Sequence, residues 1–474
     1  MREVNPLKQL NPTGKFMEKY NEKYRPQFHF TAEKGWLNDP NGLVFYDGQY
    51  HLFFQHNPFG TKWGNMTWGH AVSSDLVHWE QLPNALEPDA MGTMFSGSAV
   101  VDWENSAGFQ TGNEKTLVAI YTAEGACVTP KAPTTQCIAF SNDKGMNWTK
   151  YSGNPVISEI SPGNRDPKVF RFSSGKGAGD SRWIMALYVD EGGQTSSRIH
   201  SIQFFSSKDL KKWKYMSKVE GFYECPDFFE LPVDENPKNR KWVLFGADSR
   251  YMIGSFDGGQ FVPETAKHTG DWGPGYYAAQ TYSDVPETDG RRILIGWMRG
   301  GNYPDMPFSQ QMGFPCELTL QTFPEGIRLC KYPVMEIESL YEKTLEKSGI
   351  AVKPGENPLA DVQGELFDID AEILAGSSSE FGFDIRGQKI SYVVGDEDLI
   401  FNFACTRLPL VDGKIKLRIL VDRTSFEIFG NGGRVSISSF KLLDPENRTL
   451  GFYSSTGTAE LAKIRISSLN SSWR

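Results

Sequence analysis

Short apolar runs alternate with turns rich in Gly, Asn, Asp and Pro along most of this chain, and the pattern repeats. Five times in the first two-thirds a strand-like run, a polar turn and a more apolar run follow one another. The pairs are 43–46 with 51–55, 98–101 with 117–121, 168–172 with 183–188, 228–231 with 242–245, and 281–285 with 293–297. A second repeat interleaves with the first. An Asp-led turn closed by an aromatic occurs at Asp75 to Trp79, Asp143 to Trp148 and Asp209 to Trp213, with a degenerate copy at Asp257 to Phe261. Each reads as a tight turn joining two outer strands. A hairpin followed by an Asp-turn hairpin makes about four strands per unit, and four-stranded units repeated radially are propeller blades. The pattern predicts a five-bladed β-propeller over residues 25–335, after an N-terminal extension, 1–24. Period-two alternation returns at 365–370, 414–421 and 425–429, the last closed by Gly430-Asn431-Gly432-Gly433. That predicts a β-sandwich over 346–474, reached through a charged linker at 336–345. The fold class expected is therefore all-β, a five-bladed propeller followed by a C-terminal sandwich.

Composition narrows the partners. The 474 residues exceed one ordinary core. A formal charge of −9 argues against nucleic acid or an anionic membrane as a partner and fits a neutral substrate. No apolar run approaches the roughly 18 residues of a spanning helix, so no membrane insertion is expected. Residues 1–23 are polar and lack the apolar centre of a signal peptide. The expectation is a secreted or periplasmic protein if a signal has been removed, and a cytoplasmic one if the chain is complete as it stands. The six cysteines show no CxxC spacing. Cys127 and Cys137 flank one loop and are the best candidate pair, but free thiols are expected. The seven histidines show no ligand spacing, and neither metal nor cofactor is expected.

Chemistry concentrates at the entrances of the repeat units. Asp39 lies in Asn38-Asp39-Pro40-Asn41-Gly42, just before the first run. Taken alone that segment is ordinary turn chemistry. Asp166, in Arg165-Asp166-Pro167, precedes the third unit, and Glu224, in Glu224-Cys225-Pro226-Asp227, precedes the fourth. The start of the innermost strand is where side chains from different blades converge, so three acids at three entrances point to one shared site. Two carboxylates flanking a glycosidic bond are the machinery of glycoside hydrolysis, one ionised and one protonated. Amide neighbours Asn38 and Asn41 suit an ionised Asp39. The poorly solvating Cys225-Pro226 suits a general acid at Glu224, and Arg165 predicts that Asp166 stays charged, available to sugar hydroxyls.

At these residues the chain resembles glycoside hydrolase family 32, the β-fructosidases. The matching segments are 36–42, Gln55 in Phe54-Gln55-His56-Asn57-Pro58, the stretch from Trp63 to His70, Phe95-Ser96-Gly97-Ser98-Ala99, Arg165-Asp166-Pro167 and Glu224-Cys225-Pro226-Asp227. Tyr276-Tyr277-Ala278-Ala279-Gln280, Ile295-Gly296-Trp297-Met298 and the stretch from Val421 to Glu427 also match. The resemblance implies a retaining mechanism with Asp39 as nucleophile, Glu224 as acid and base, and Asp166 as transition-state stabiliser. It implies that Trp36, Asn38, Gln55, Trp63, Phe95, Ser96 and Arg165 bind the fructosyl ring. Trp68, Trp79 and Trp148 are expected in the core. One departure is Pro315-Cys316-Glu317-Leu318, where the family commonly has Arg in place of Cys316; Glu317 is expected to be structural.

The family resemblance leads to release of terminal β-D-fructose from levan or inulin, with sucrose a poorer substrate. An invertase, an endo-acting levanase or inulinase and a fructosyltransferase share the same acids and stay open. So does a non-catalytic sugar-binding propeller, because fold does not fix function.

Overall fold

The computed structural model describes residues 20–173, 181–192 and 199–473. Most of the expected N-terminal extension, residues 1–19, lies outside them. The chain forms a five-bladed β-propeller followed by a β-sandwich.

Four of the five sequence repeats are the inner antiparallel pair of one blade; in the fifth the second run, 293–297, lies in its strand, but the first strand is Tyr276–Thr281 and meets the expected run 281–285 only at Thr281. Gly35–Tyr46 pairs with Gln49–Asn57 in blade I, Thr93–Asp102 with Thr116–Glu124 in blade II, and Arg165–Phe172 with Arg182–Asp190 in blade III. Asp227–Val233 pairs with Asn236–Phe245 in blade IV, and Tyr276–Thr281 with Arg292–Met298 in blade V. The Asp-led turns join the third strand to the fourth in blades I to IV. Their chemistry recurs. A carboxylate oxygen of Asp75, Asp143, Asp209 or Asp257 accepts backbone N–H groups two to four residues on. The residue after each takes a left-handed conformation: Leu76, Lys144, Leu210 and Gly258. In three copies the closing indole, of Trp79, Trp148 or Trp213, donates back to a carbonyl in the turn. These tryptophans are half-buried braces, and Trp68 is fully buried.

The sandwich stacks a six-stranded sheet on a five-stranded one. Its own core includes Phe367, Ile369, Phe383, Ile419 and Phe452. Residues 336–345, expected as a linker, hold a 3-10 turn, Met335–Leu340, and the start of the strand Tyr341–Val352, which pairs with Ala459–Leu469.

A second apolar core runs through the junction. It joins Phe28 and Phe30, blades I and V, and Leu420, Phe429 and Leu469 of the sandwich. Within it lies a buried ionic seal. His29 Nδ1 is 2.9 Å from Asp422 Oδ2, and its Nε2 is 2.8 Å from Glu427 Oε2. All three side chains are fully buried. A neutral imidazole has a single N–H, so facing two carboxylates calls for the imidazolium. Burial alone would lower the His29 pKa, but the bonds to Asp422 and Glu427 outweigh it and lift the pKa to about 9.

All six cysteines are free, Cys127 and Cys137 among them.

Candidate active site

The site is built from irregularities at one end of the inner strands. In blade I, Asn38 and Asp39 together face one partner position, Gln55, because pairing jumps from Leu37↔His56 to Pro40↔Phe54. In blade II, Phe95 and Ser96 bulge between Met94↔Ala123 and Gly97↔Tyr121. In blade III, Asp166 and Pro167 bulge between Tyr188↔Arg165 and Ala186↔Lys168. Blade V bulges at Ala278 and Ala279, next to Tyr277. A bulge places two side chains where a regular strand would place one, and turns them from the sheet face toward the strand end. Blade IV reaches the same place by another route. Glu224 and Cys225 precede its inner strand with φ of 23° and 41°, and Asp166 has φ 64°. Such conformations are costly for side-chain-bearing residues and persist where the surroundings fix them.

Together these irregularities enclose a pocket of about 210 Å³. It is lined by Asn38, Asp39, Gln55, Trp63, Phe95, Ser96, Arg165, Asp166, Glu224, Tyr277 and Trp297. Every predicted site residue lines it except Trp36. That indole stands behind the wall and donates to Asn38 Oδ1 at 2.8 Å. Trp63, 53% exposed, forms the rim against the edge of Phe95.

Asp39 Oδ2 accepts a 2.6 Å bond from Ser96 Oγ, and Oδ1 accepts one of 3.0 Å from Asn38 Nδ2. Burial raises its pKa, and these two bonds oppose the rise. Glu224 is held at both oxygens. Tyr277 Oη donates to Oε1 at 2.6 Å, while Arg165 Nε and Nη2 donate to Oε2 at 3.0 and 2.7 Å. Asp166 accepts from the Cys225 backbone N–H at 3.1 Å. The Cys225 thiol lies between two acids, 3.5 Å from Asp39 Oδ2 and 3.3 Å from Asp166 Oδ2.

Two sequence expectations need correction. The sequence places Arg165 beside Asp166 as its partner, but the guanidinium bonds Glu224 and its Nε stays 3.7 Å from Asp166. Burial, with the nearby charges of Glu224 and Asp39, outweighs Arg165 and raises the Asp166 pKa to about 7. Asp166 is therefore not held charged across the neutral range. The neighbours Cys225-Pro226 predict a poorly solvated Glu224, yet it has three polar donor contacts and is 19% exposed, against 6% for Asp166.

Sequence reasoning also missed three contributors. Tyr277 and Trp297 sit in segments noted for resemblance but not assigned to the site, and Cys225 was read only as a poor solvent for Glu224. Their signal was proximity to the start of an inner strand, the same that marked the acids. Glu317 does not line the pocket; it lies in the strand Cys316–Phe323, and Cys316 is buried, its thiol 3.3 Å from the Phe314 carbonyl.

Three carboxylates and a single guanidinium in so small a space favour retention of protons. Glycoside hydrolysis requires a carboxylate and a carboxylic acid at one bond, and this pocket holds three acids from which the two roles can be drawn.

Comparison with known proteins agrees. Residues 29–333 match the glycosyl hydrolases family 32 N-terminal domain, and residues 336–468 match the family's C-terminal domain. A levanase of Bacillus subtilis is 41% identical, the match covering 96% of this chain and 72% of that protein. An extracellular exo-inulinase of Aspergillus awamori is 32% identical, over 96% of each chain. The crystal structure of exo-inulinase from Aspergillus awamori superposes with a TM-score of 0.84 at 29% identity, covering 96% of this chain and 100% of that one. A fructofuranosidase of Schwanniomyces occidentalis complexed with fructosylnystose gives 0.82 at 28% identity, over 96% and 99%. With both modules matched and the acids gathered in one propeller pocket, the chain belongs to glycosyl hydrolase family 32.

Proposed function

We propose that this protein is a retaining fructan β-fructosidase that removes terminal β-D-fructose from levan or inulin and also cleaves sucrose. The observation that carries the reading is the contrast between Asp39 and Glu224 in one pocket. Asp39 is bonded by a hydroxyl and an amide, both neutral, which orient a carboxylate without tying it to a cation. Glu224 is the more open acid, with Oε1 fixed by Tyr277.

In the first step Asp39 attacks the anomeric carbon while the C–O bond to the leaving group breaks. Glu224 gives its proton to the leaving oxygen, for which Oε2 must exchange Arg165 for that oxygen. In the second step Glu224 takes a proton from water, and the water oxygen replaces Asp39 on the sugar. Asp166, with Arg165, binds the fructosyl hydroxyls and stabilises the charge that develops on the ring. Trp36, Asn38, Gln55, Trp63, Phe95 and Ser96 shape the subsite. The catalytic module is 25–335, with the sandwich from 346 onward as its support.

A pocket of about 210 Å³ suits a chain end rather than the middle of a polymer. The similarity to levanases and extracellular exo-inulinases supports fructan as substrate and an extracellular place of work. Chromatography of early products on levan, inulin and sucrose tests the reading. Free fructose from the first minutes is expected. Long oligosaccharides before free fructose would replace it with an endo-acting enzyme, and full activity in Asp39→Ala would remove the catalytic assignment.

A further inference from the structure

A second cavity, about 450 Å³, opens at the other end of the propeller, more than twice the volume of the acidic pocket. Its wall is formed by the far ends of inner strands, around Val101, Phe170 and Phe229, and by the loop holding Ser283 and Asp284. The two spaces are separated by bonds across the propeller axis. Gln280 Nε2 donates to the Gly97 carbonyl, and Lys168 Nζ donates to the Thr281 carbonyl at 2.7 Å.

Most charges in this second cavity are already matched. Arg171 pairs with Glu104, Arg240 with Glu230, and Lys168 with Asp227. Arg292 differs. Its Nη1 donates to the Tyr282 carbonyl at 3.1 Å, and no carboxylate lies within ion-pair distance among the described residues. Asp284 accepts from the Val101 N–H at 2.9 Å through Oδ2 and from the Trp103 indole at 2.8 Å through Oδ1. Each carboxylate oxygen offers two acceptor sites, so it retains capacity. The bond to Asp284 also fixes the Trp103 ring, which is 52% exposed at the rim.

Among the described residues the cavity thus combines an anchored aromatic plate, a spare donor fork and a spare acceptor, with no surplus of either charge. An anion would meet Asp284, Glu104 and Glu230; a cation would meet Arg292. A neutral ligand with adjacent hydroxyls on one edge and an apolar C–H face satisfies all three groups. The volume falls within the roughly 300–1,000 Å³ usual for small-ligand sites.

We infer that this far mouth is a second, non-hydrolytic saccharide site that holds another stretch of the fructan trimmed at the acidic pocket. The inference rests on the proposed fructan reading. The inner strands separate the two mouths by roughly 25 Å, at about 3.3 Å per residue. A disaccharide cannot occupy both. A polymer held at the far mouth keeps its ends near the protein, raising their effective concentration.

The test is Trp103→Ala in the full chain, with Trp103→Phe as the conservative partner. KM for levan or inulin should rise about three- to tenfold in Trp103→Ala, with sucrose kcat and KM unchanged. In an Asp39→Ala background, retardation in fructan-containing gels should weaken in the same order. Trp103→Phe, which keeps a ring but loses the bond to Asp284, should fall between. Unchanged fructan KM and gel retardation in Trp103→Ala would overturn the second site, as would an equal loss on sucrose and fructan. If the parent protein releases no fructose from any fructan, it is the proposed activity that fails.

Discussion

The propeller and the sandwich use the same β-strand alternation but treat their acids in opposite ways. In the sandwich sheet, Phe367–Leu374 pairs with Lys414–Asp422 without a register shift. Its acids are matched: Asp368 with Arg418, Glu372 with Lys414, and Asp422 with His29 and a row of backbone N–H groups. At the starts of the propeller's inner strands the register breaks, and three acids face one another with a single guanidinium among them. Regular strands distribute charge so that each group finds a partner. Bulged strands concentrate it, and the concentration costs stability while creating reactivity.

The largest break of this contrast is Asp39→Ala. Loss of a nucleophile should lower kcat by about 10⁴-fold or more with the fold retained, read by fructose release beside far-UV circular dichroism. Asp422→Asn attacks the other side. Removing one partner of a buried charged group should cost roughly 3–5 kcal/mol in a urea unfolding curve, while kcat/KM of the folded fraction stays the same. Asp166→Asn should move stability the other way. Its folded pKa is raised to about 7, so above the unfolded value of about 4 the native state pays to lose that proton. The neutral amide should therefore raise Tm by roughly 2–5 °C at pH 8 even as kcat falls by about a hundredfold. Asp422→Asn and Asp166→Asn changing Tm with the same sign would break the comparison.

A smaller effect follows from His29. Its folded pKa is about 9 against an ordinary value of about 6.5. The stabilisation it supplies is complete below about pH 6.5 and is lost as pH rises through about 9. Urea midpoints at pH 6, 8 and 10 should decline, and a His29→Gln variant should lack that part of the decline. Smallest is Tyr277→Phe. Losing the donor to Glu224 Oε1 should reduce kcat by about tenfold, with Tm nearly unchanged.

What the sequence made legible was local. The Asp-led turns are closed by bonds spanning a few residues, so Asp75 and Trp79 carry the whole motif between them. The paired runs inside blades I to IV were readable for the same reason, and their order located Asp39, Asp166 and Glu224 at one end. The bulges were not readable, because a bulge is a relation between two strands; nothing near Asn38 and Asp39 says that both will face Gln55. Arg165 shows the same limit. Adjacent residues on a strand point apart, and the guanidinium reaches Glu224, 59 positions away, in preference to its neighbour. The seal between His29 and Asp422 spans 393 positions and joins two modules that appear independent in the sequence.

The bonds that Gln280 and Lys168 throw across the propeller axis have a kinetic consequence. They lie between the acidic pocket and the far cavity, which share no lining residue among the described residues, so on the proposed reading the way out is the mouth by which the chain end entered. On the proposed reading, a freed fructose lies beneath the shortened chain that blocks its way out. The chain end must withdraw before the monosaccharide escapes, so each cut needs a fresh entry of a chain end into the pocket. The shortened end leaves the pocket after every cut while the rest of the polymer stays at the far mouth, so successive cuts on one molecule are separated by re-entry of its end.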